Sequence, residues 1–317
     1  MAIRRLATVF GGTGFIGQHL VPRLARLDYE VRVVTRNPDS VRPLATQGNV
    51  GQVKPHFARL GSDPDIAAAV AESCLVVNLI GILSEKRPGD FQRLQGELPG
   101  RIGRAAAAGG VARVVHVSAI GADPSSPSAY ARSKAAGEVA LREAFPAATI
   151  LRPSIIFGPE DHFFNRFAAM AQWMPFMPVV CGATRFQPVY VADVADALIA
   201  AAQRNDSQGR TYELGGPRVV TFRELMAYVL EVTGRHKRLV EMPDGLVRLQ
   251  AAIGEHLPNP PLTRDQLAQL RRDNVVAPDA AGFAALGLTP KAMEAIVPAY
   301  LARFRRGGGR RNRAFAG

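Results

Sequence analysis

The chain has 317 residues, 47% of them hydrophobic and 21% charged, with a formal net charge of +12. That balance excludes a disordered chain, and the length suits one large core with a smaller appendage better than two equal domains. Two cysteines, Cys74 and Cys181, with no C-x-x-C pair exclude a disulfide framework and a zinc site and predict a reducing compartment.

No charged segment followed by a long apolar stretch opens the chain, so no secretory signal is expected, and the early first strand leaves no room for a transit sequence. Leu6–Phe10 is an apolar run suited to a buried strand. Gly11-Gly-Thr-Gly-Phe-Ile-Gly17 follows, and Phe15 to Leu27 carry apolar residues at helical spacing. Strand, glycine turn and helix in that order predict a dinucleotide-binding fingerprint. Gly12, Gly14 and Gly17 satisfy G-x-G-x-x-G, and Gly11, Gly14 and Gly17 the looser G-x-x-G-x-x-G. With Thr13, Phe15 and Ile16 they form the expected pyrophosphate cradle, the phosphate charge resting on N–H groups at a helix N-terminus. The plainer alternative is a tight turn.

Val31–Thr35 alternates and ends where an acidic residue would hold the ribose 2′-OH of NAD. Here the strand ends in Thr35, Arg36 and Asn37. A guanidinium grips a 2′-phosphate with two parallel bonds, and a carboxylate would repel it. Arg36, with Asn37 beside it, therefore predicts NADP(H) over NAD(H); the alternative is a solvated strand-end arginine. Further strands are expected at Gln52–Phe57, Leu75–Ile80, Arg113–Ser118 and Ala148–Leu151, with helices between. This alternation predicts an α/β fold: a doubly wound parallel Rossmann sheet with a smaller, mostly helical C-terminal domain.

Tyr130-Ala-Arg-Ser-Lys134 falls at the start of the helix after the fifth strand, and its i, i+4 spacing puts Tyr130 and Lys134 on one face. An ammonium beside a phenol favours the phenolate. A tyrosine so tuned exchanges a proton with a carbonyl or alcohol while a nicotinamide exchanges a hydride, and Ser118 steadies the oxygen. Ser118, Tyr130 and Lys134 are the candidate catalytic residues. His116 reads as a packed strand residue, Asp161 and His162 as a loop polar pair, and Asp193 as the start of a helix. The six histidines show no ligand spacing, and no metal is expected.

Phe167–Ala183 is the most hydrophobic stretch, broken by Gln172, Pro175 and Pro178, so no transmembrane helix is expected. It reads as a helix and loop lining a pocket, or as a surface for lipid, quinone or a protein partner. Pro188–Tyr190 and Thr211–Leu214 are expected to rejoin the main sheet. Thr221…Glu224 and Thr263…Gln266 match capping boxes, and Thr289-Pro290 is expected to start a helix. The expected division is a Rossmann domain over 1–215 with an inserted pocket segment near 159–186, a small helical domain over 216–302, and a basic disordered tail over 303–317. Arg303, Arg305, Arg306, Arg310, Arg311 and Arg313 charge that tail. It is a solvated terminus or a contact for an anionic membrane surface or acidic partner. With no aromatic stacking platform beside it, nucleic acid is not expected.

Gly11 to Gly17, Ser118, Tyr130 and Lys134 together resemble the short-chain dehydrogenase/reductase superfamily. Leu151-Arg-Pro-Ser-Ile-Ile-Phe-Gly-Pro159 and Gln187-Pro-Val-Tyr-Val-Ala-Asp-Val194 resemble its extended and atypical branches. His116-Val-Ser-Ala-Ile-Gly-Ala122, Tyr130-Ala-Arg-Ser-Lys-Ala-Ala-Gly-Glu138, Phe157-Gly-Pro-Glu-Asp-His-Phe-Phe-Asn165 and Leu262-Thr-Arg-Asp-Gln266 narrow the resemblance. They are similar to the NADPH-binding accessory subunit of respiratory complex I in its alphaproteobacterial form. That resemblance implies complex I subunits as partners, a peripheral position on the cytoplasmic face of a bacterial inner membrane, and NADPH held as a structural element. It implies Lys134 on the nicotinamide ribose, Tyr130 beside the ring, and further cofactor contacts at Gly81, Pro153 and Ile156. Two positions depart from the pattern. Ile155 stands where sugar-nucleotide epimerases place an asparagine, and Arg59 stands where the adenine contact is commonly Asp or Asn. A soluble NADP-dependent reductase, epimerase or dehydratase acting through Tyr130 and Lys134 is the alternative.

Overall fold

A computed structural model of the chain describes residues 5–247 and 262–307. Its strands are β1 (Leu6–Phe10), β2 (Glu30–Thr35), β3 (Val53–Phe57), β4 (Leu75–Asn78), β5 (Arg113–Val117), β6 (Thr149–Pro153), β7 (Ile156–Phe157), β8 (Met177–Val179), β9 (Arg185–Phe186), β10 (Val189–Tyr190), β11 (Thr211–Leu214), β12 (Val220–Thr221) and β13 (Leu239–Glu241). Its larger helices are α1 (Phe15–Arg26), α2 (Arg42–Ala45), α3 (Asp63–Val70), α4 (Leu98–Ala108), α5 (Ala129–Ala144), α6 (Phe164–Trp173), α7 (Val191–Gln203) and α8 (Phe222–Val232), followed by helices at Arg264–Leu270 and Met293–Leu301. Two units share the chain: Met1–Pro153 with Val191–Leu214 and Ala277–Thr289, and Ser154–Tyr190 with Gly215–Val276 and Pro290–Gly317.

The first unit is a parallel seven-stranded sheet in the order β11-β6-β5-β4-β1-β2-β3. Its strands are short runs rich in β-branched residues, and β1 and β4 are buried at every position, as expected of a sheet covered on both faces. Side chains alternate across the sheet. Phe10, Val76 and Val114 point into a core with Ile66 of α3, Leu98 and Ile102 of α4 and Leu141 of α5. On the opposite face Val9 and Val33 meet Val21 of α1 around Gly12. Arg23 of α1 pairs with Asp196 of α7 at 2.6 Å. The order of strand addition reverses between β1 and β4, the switch point where doubly wound folds bind ligands.

Helices α4 and α5 pack unusually closely. A Cβ on Gly100 would lie 2.9 Å from Ala140 Cβ, and one on Gly103 3.0 Å from Ala144 Cβ. A Cβ on Gly137 would lie 1.9 Å from the Gln95 carbonyl oxygen. That carbonyl belongs to a π-helical turn, Gln92–Glu97, leading into α4. Pro99 has no N–H to give it an α-helical bond, so the turn widens there.

The second unit uses three two-stranded pairings, β7 with β10, β8 with β13, and β9 with β12. Phe157, Phe164, Phe222, Met226, Val297 and Leu301 form its core, and Phe163, Phe164 and Phe167 meet edge to face. Both expected capping boxes are present, Thr221 with Glu224 and Thr263 with Gln266. Asp161 is a buried strut. It accepts the Tyr300 hydroxyl at 2.7 Å and the backbone N–H groups of Gly158 and Asn165. Burial and the Asp161 charge push the Tyr300 phenol well above its ordinary pKa.

Several boundaries differ from the sequence reading. Pro188–Tyr190 does not join the main sheet. Val189 pairs with Ile156 instead, donating its N–H to the Ile155 carbonyl, and Pro188 has no N–H to extend a ladder. Residues 159–186 belong to the second unit rather than forming an insert in the first. Residues 277–289 return to the first unit, where Ala277 N–H bonds to the Glu213 carboxylate and Glu213 N–H to the Ala281 carbonyl. The helix expected at Thr289 starts at Met293, behind an extended Ala292. Arg303 and Arg305 are not a loose tail: they bond to Asn165 Oδ1 and the Val232 carbonyl. Arg310, Arg311 and Arg313 lie outside the described residues.

The Gly137 contact is with backbone, which no rotamer change relieves. Gly137→Val is expected to destabilise the chain by about 3 kcal/mol or more in urea unfolding. Gly61→Ala, where an added methyl group meets nothing within 4 Å, should stay within about 0.5 kcal/mol.

Candidate functional site

The loop after β1 is shaped for close approach. Gly11 adopts φ +77°, which side-chain-bearing residues rarely take, and a Cβ there would lie 3.2 Å from the Leu79 carbonyl carbon. A Cβ on Gly17 would sit 2.3 Å from the Gly12 oxygen, so the first turn of α1 rests directly on the loop. Gly14 is the N-cap residue. It brings no side-chain oxygen, and its N–H donates to the Gly11 carbonyl at 3.0 Å. No acidic side chain lies in the first turn, which leaves the positive end of α1 suited to an anion. Thr13, Phe15 and Ile16 are partly buried along this turn.

Arg36 lies two residues past Val34, the register partner of Phe10, and so at the same sheet edge as the glycine loop. It is exposed, and among the described residues it has no ion pair or hydrogen bond. Asp39, the nearest acid in sequence, is paired with Arg42 at 2.8 Å. Asn37 differs from the expected cofactor ligand in one respect: its side-chain oxygen accepts the Asp39 N–H and caps the turn Pro38–Val41. Arg59 is bound in a fork to Asp65, with Nε and Nη2 at 2.9 and 3.1 Å. That pairing and a bond from Ser62 hold the Asp65 carboxyl far below the usual carboxylate range.

At the ends of β4 and β5 the remaining first-unit candidates converge. Ser128 caps α5, its hydroxyl accepting the Ala131 N–H. This places Tyr130 in the first turn and Lys134 one turn further. Lys134 is 4% exposed and donates from Nζ to the Val117 carbonyl at 3.3 Å. The same Nζ lies 5.9 Å from the Tyr130 ring centroid, and Phe91 meets that ring edge-on. A Cβ on Gly81 would come within 3.2 Å of Nζ. Burial draws the Lys134 pKa down to about 8, against the opposing charge of Glu138. Glu138 is itself locked to Arg152, with bonds of 2.9 and 2.6 Å, and Arg152 also reaches Glu213.

Four buried polar atoms here lack a well-formed hydrogen bond: Asn78 Nδ2, both ring nitrogens of His116, which lies against the Asn78 backbone, and Ser118 Oγ. Asn78 and His116 are register partners across β4 and β5. Burial, and then the Lys134 charge, hold the His116 pKa down to about 3, so the ring is neutral. Orphaned buried groups cost about 1–3 kcal/mol each, and this one patch concentrates them. The Ser118 hydroxyl, the Lys134 ammonium, the Gly81 gap and the glycine loop fit the ribose, amide and pyrophosphate oxygens of a nicotinamide dinucleotide. Pro153 ends β6, its carbonyl bonded to the Ile120 N–H. Ile156 falls in the second unit within β7, and Ile155 packs against that unit's core.

Sequence reasoning missed the support beneath Lys134. Gln95, on the π-helical turn, donates to Ser133 Oγ at 3.0 Å and accepts the Ile82 N–H at 2.9 Å. The nearest sequence signal is Pro99, which forbids a regular helix through residue 95. The Lys134–Glu138 spacing suggests an i, i+4 pair, but Arg152 of β6 takes both carboxylate oxygens. Among the described residues, no cluster of His, Cys, Asp or Glu could hold a metal ion, and no helix is long and apolar enough to cross a membrane.

The folded chain releases the Lys134 proton near pH 8 and the unfolded chain near pH 10.5. Below pH 8 both states are charged and the burial penalty is present in full. Between these values only the unfolded state keeps the proton, so this group's contribution to stability rises with pH. Lys134→Met is expected to stabilise the ligand-free chain at pH 7 by on the order of 3 kcal/mol, less the lost Val117 contact. The advantage should fade as pH climbs toward 10.5. Urea unfolding at pH 7 and pH 9.5 measures both, and a variant less stable at pH 7 would refute the assignment.

Residues 7–215 match the NAD dependent epimerase/dehydratase family. Over 316 residues the chain is 37% identical to NADH dehydrogenase [ubiquinone] 1 alpha subcomplex subunit 9 of Arabidopsis thaliana, covering 96% of this chain and 79% of that protein. It is 32% identical to a ceramide reductase of Caulobacter vibrioides, over 76% of this chain and 74% of that one. Among solved structures, an epimerase from Methanothermobacter thermautotrophicus superposes with a TM-score of 0.74 at 16% identity, covering 95% and 92% of the two chains. That likeness bears on the fold alone. Fold, glycine loop and family match agree: the chain belongs to the NAD dependent epimerase/dehydratase family.

Proposed function

We propose that the chain is an NADP(H)-binding accessory subunit of respiratory complex I, peripheral on the cytoplasmic face of a bacterial inner membrane, which holds its dinucleotide as a structural ligand. The observation that carries this reading is the near end-to-end similarity to complex I subunits. Besides the Arabidopsis protein, the Mus musculus subunit 9 is 34% identical over 91% of the chain, and the Neurospora crassa 40 kDa subunit 31% identical over 94%. The unpaired guanidinium of Arg36 beside the glycine loop supports the choice of NADP(H), since it offers a bidentate donor to a 2′-phosphate.

A bound nicotinamide dinucleotide supplies a hydride donor or acceptor. The chain's own residues serve binding in any case. The first turn of α1 holds pyrophosphate oxygens, Lys134 and Ser118 find the acceptors and donors they lack, and Tyr130 packs against Phe91. A ligand that binds only the folded state at a hundred times its Kd stabilises it by about 2.7 kcal/mol.

The similarity to the ceramide reductase favours a second reading, an NADP-dependent reductase in which Tyr130 passes a proton to a substrate oxygen. Ser118, Tyr130 and Lys134 are intact for that role.

Three measurements test these readings. Calorimetry of Arg36→Gln should show NADPH binding weakened about ten- to a hundredfold, with NADH nearly unchanged; equal loss of both overturns the cofactor choice. A mild-detergent pull-down of the native chain should bring down complex I subunits with NADP(H) bound, and recovery of neither overturns the subunit reading. Tyr130→Phe should leave assembly and bound NADPH intact; oxidation of NADPH by a carbonyl substrate, abolished in this variant, favours the reductase.

A further inference from the structure

Trp173 is the only tryptophan of the chain, and it is 87% exposed at the C-terminal end of α6. An isolated exposed aliphatic residue is ordinary, but a tryptophan left this open marks a surface that something covers. The chain continues as Met174-Pro-Phe-Met-Pro178, with Pro175 exposed and Met174 and Phe176 half-buried. Several neighbouring side chains of this unit are cations, and Glu231 is the carboxylate nearest to Arg235 in sequence. Lys237 Nζ contacts the Met174 carbonyl. Arg235 donates to the Phe304 carbonyl at 3.0 Å, and that carbonyl also accepts from Gln172, the residue before Trp173. Arg305 donates to the Val232 carbonyl at 2.8 Å. Arg238 is exposed, one bond from Leu239 of β13, and its carbonyl receives the Met177 N–H.

Carbonyl oxygens tether the Arg235, Lys237 and Arg305 side chains without neutralising them. Among the described residues, no carboxylate pairs with Arg235, Lys237, Arg238 or Arg305. The nearby Glu241 is paired with Arg223. Carbonyl bonds fix where three of the cations sit, Arg238 standing exposed beside them, and their charge stays available to a partner. A tryptophan surrounded by uncompensated cations is the composition found where a protein surface meets lipid headgroups: the indole sits at the apolar–polar boundary and the cations face phosphates.

We infer that this face of the second unit, centred on Trp173 and ringed by Arg235, Lys237, Arg238 and Arg305, docks on an anionic lipid bilayer. Charge complementarity selects that occupant. A zwitterionic surface gives the cations no net attraction, and an apolar protein groove would strand them. The inference deepens the peripheral placement proposed above, but its chemistry is independent of any complex I subunit. It also moves the membrane contact from the terminal arginines to a folded surface.

The single tryptophan supplies the reporter. The full chain with NADPH bound is mixed with vesicles of phosphatidylglycerol and phosphatidylethanolamine, or of phosphatidylcholine alone. Emission should shift to shorter wavelength, and aqueous iodide should quench it less, with the anionic vesicles only. High salt should reverse the shift. In sedimentation, Arg235→Gln with Lys237→Gln and Arg238→Gln should weaken vesicle binding by about fivefold per charge, and Trp173→Ala should weaken it while circular dichroism stays unchanged. Vesicle binding with unaltered tryptophan emission would place the contact elsewhere, on the terminal arginines, and overturn the inference. So would a shift produced by complex I subunits but by no vesicle. Failure with vesicles alongside a successful pull-down would remove this surface and leave the subunit reading standing.

Discussion

The contact between Gly137 and the Gln95 carbonyl sets the position of the site's chemistry. Gln95 sits on a π-helical turn because Pro99 removes the amide that would have closed a regular α-helical bond. The freed carbonyl faces α5 at a distance that admits only a glycine. α5 therefore lies against the turn backbone to backbone. Its first two turns carry Tyr130 and Lys134, so their distance from β4 and β5 follows from this packing. The Gln95 side chain then bonds to Ser133 on α5 and to Ile82 beyond β4. One turn thus spans the gap between the strand loop bearing Gly81 and the helix bearing Lys134. A flexible support would let a buried ammonium find water; this one keeps it 4% exposed.

The local signals were the readable ones. Leu6–Phe10 matches β1 residue for residue, because a buried parallel strand writes itself as a continuous apolar run. The glycines were legible because two of their requirements, a positive φ at Gly11 and the contact of Gly17 with Gly12, lie within a dozen residues. Ser118, Tyr130 and Lys134 were legible for the same reason, being set by one strand end and one helical turn. Contacts across large sequence distance were not. Glu138 was open to pairing with Lys134 by spacing, and only the fold brings Arg152 of β6 to it. Asn78 and His116 become neighbours through strand register alone. The interleaving of the two units was hidden because the chain leaves the first unit at Pro153, returns at Val191, and returns again at Ala277. No composition shift marks those crossings, since each segment supplies apolar residues to whichever core it joins.

The electrostatics around Lys134 explain why an intact reductase-like constellation does not by itself mean turnover. Its ammonium is buried against a neutral carbonyl, its nearest carboxylate is committed to Arg152, and His116 is held neutral beside it. A cation so placed favours any ligand that brings hydroxyl oxygens or partial negative charge, and a dinucleotide brings several. The same ammonium lies 5.9 Å from the Tyr130 ring centroid, the side chain that the reductase reading needs for proton transfer. Binding and chemistry thus draw on one set of interactions, and keeping the first preserves the residues of the second.

The orphaned atoms also bear on the stability of the fold. Asn78 Nδ2, the His116 nitrogens and Ser118 Oγ lie at the strand ends where a doubly wound sheet receives its ligand. Each unsatisfied group lowers the stability of the ligand-free fold, and each one that a dinucleotide or its accompanying waters satisfies adds to the stability of the bound fold. A site in that condition makes folding and nucleotide occupancy strongly linked. In a reductase that exchanges its cofactor at every turnover such linkage is a burden; an enzyme that regenerates its cofactor within one cycle tolerates it. In a subunit whose task is to hold shape within an assembly, it makes the nucleotide part of the fold.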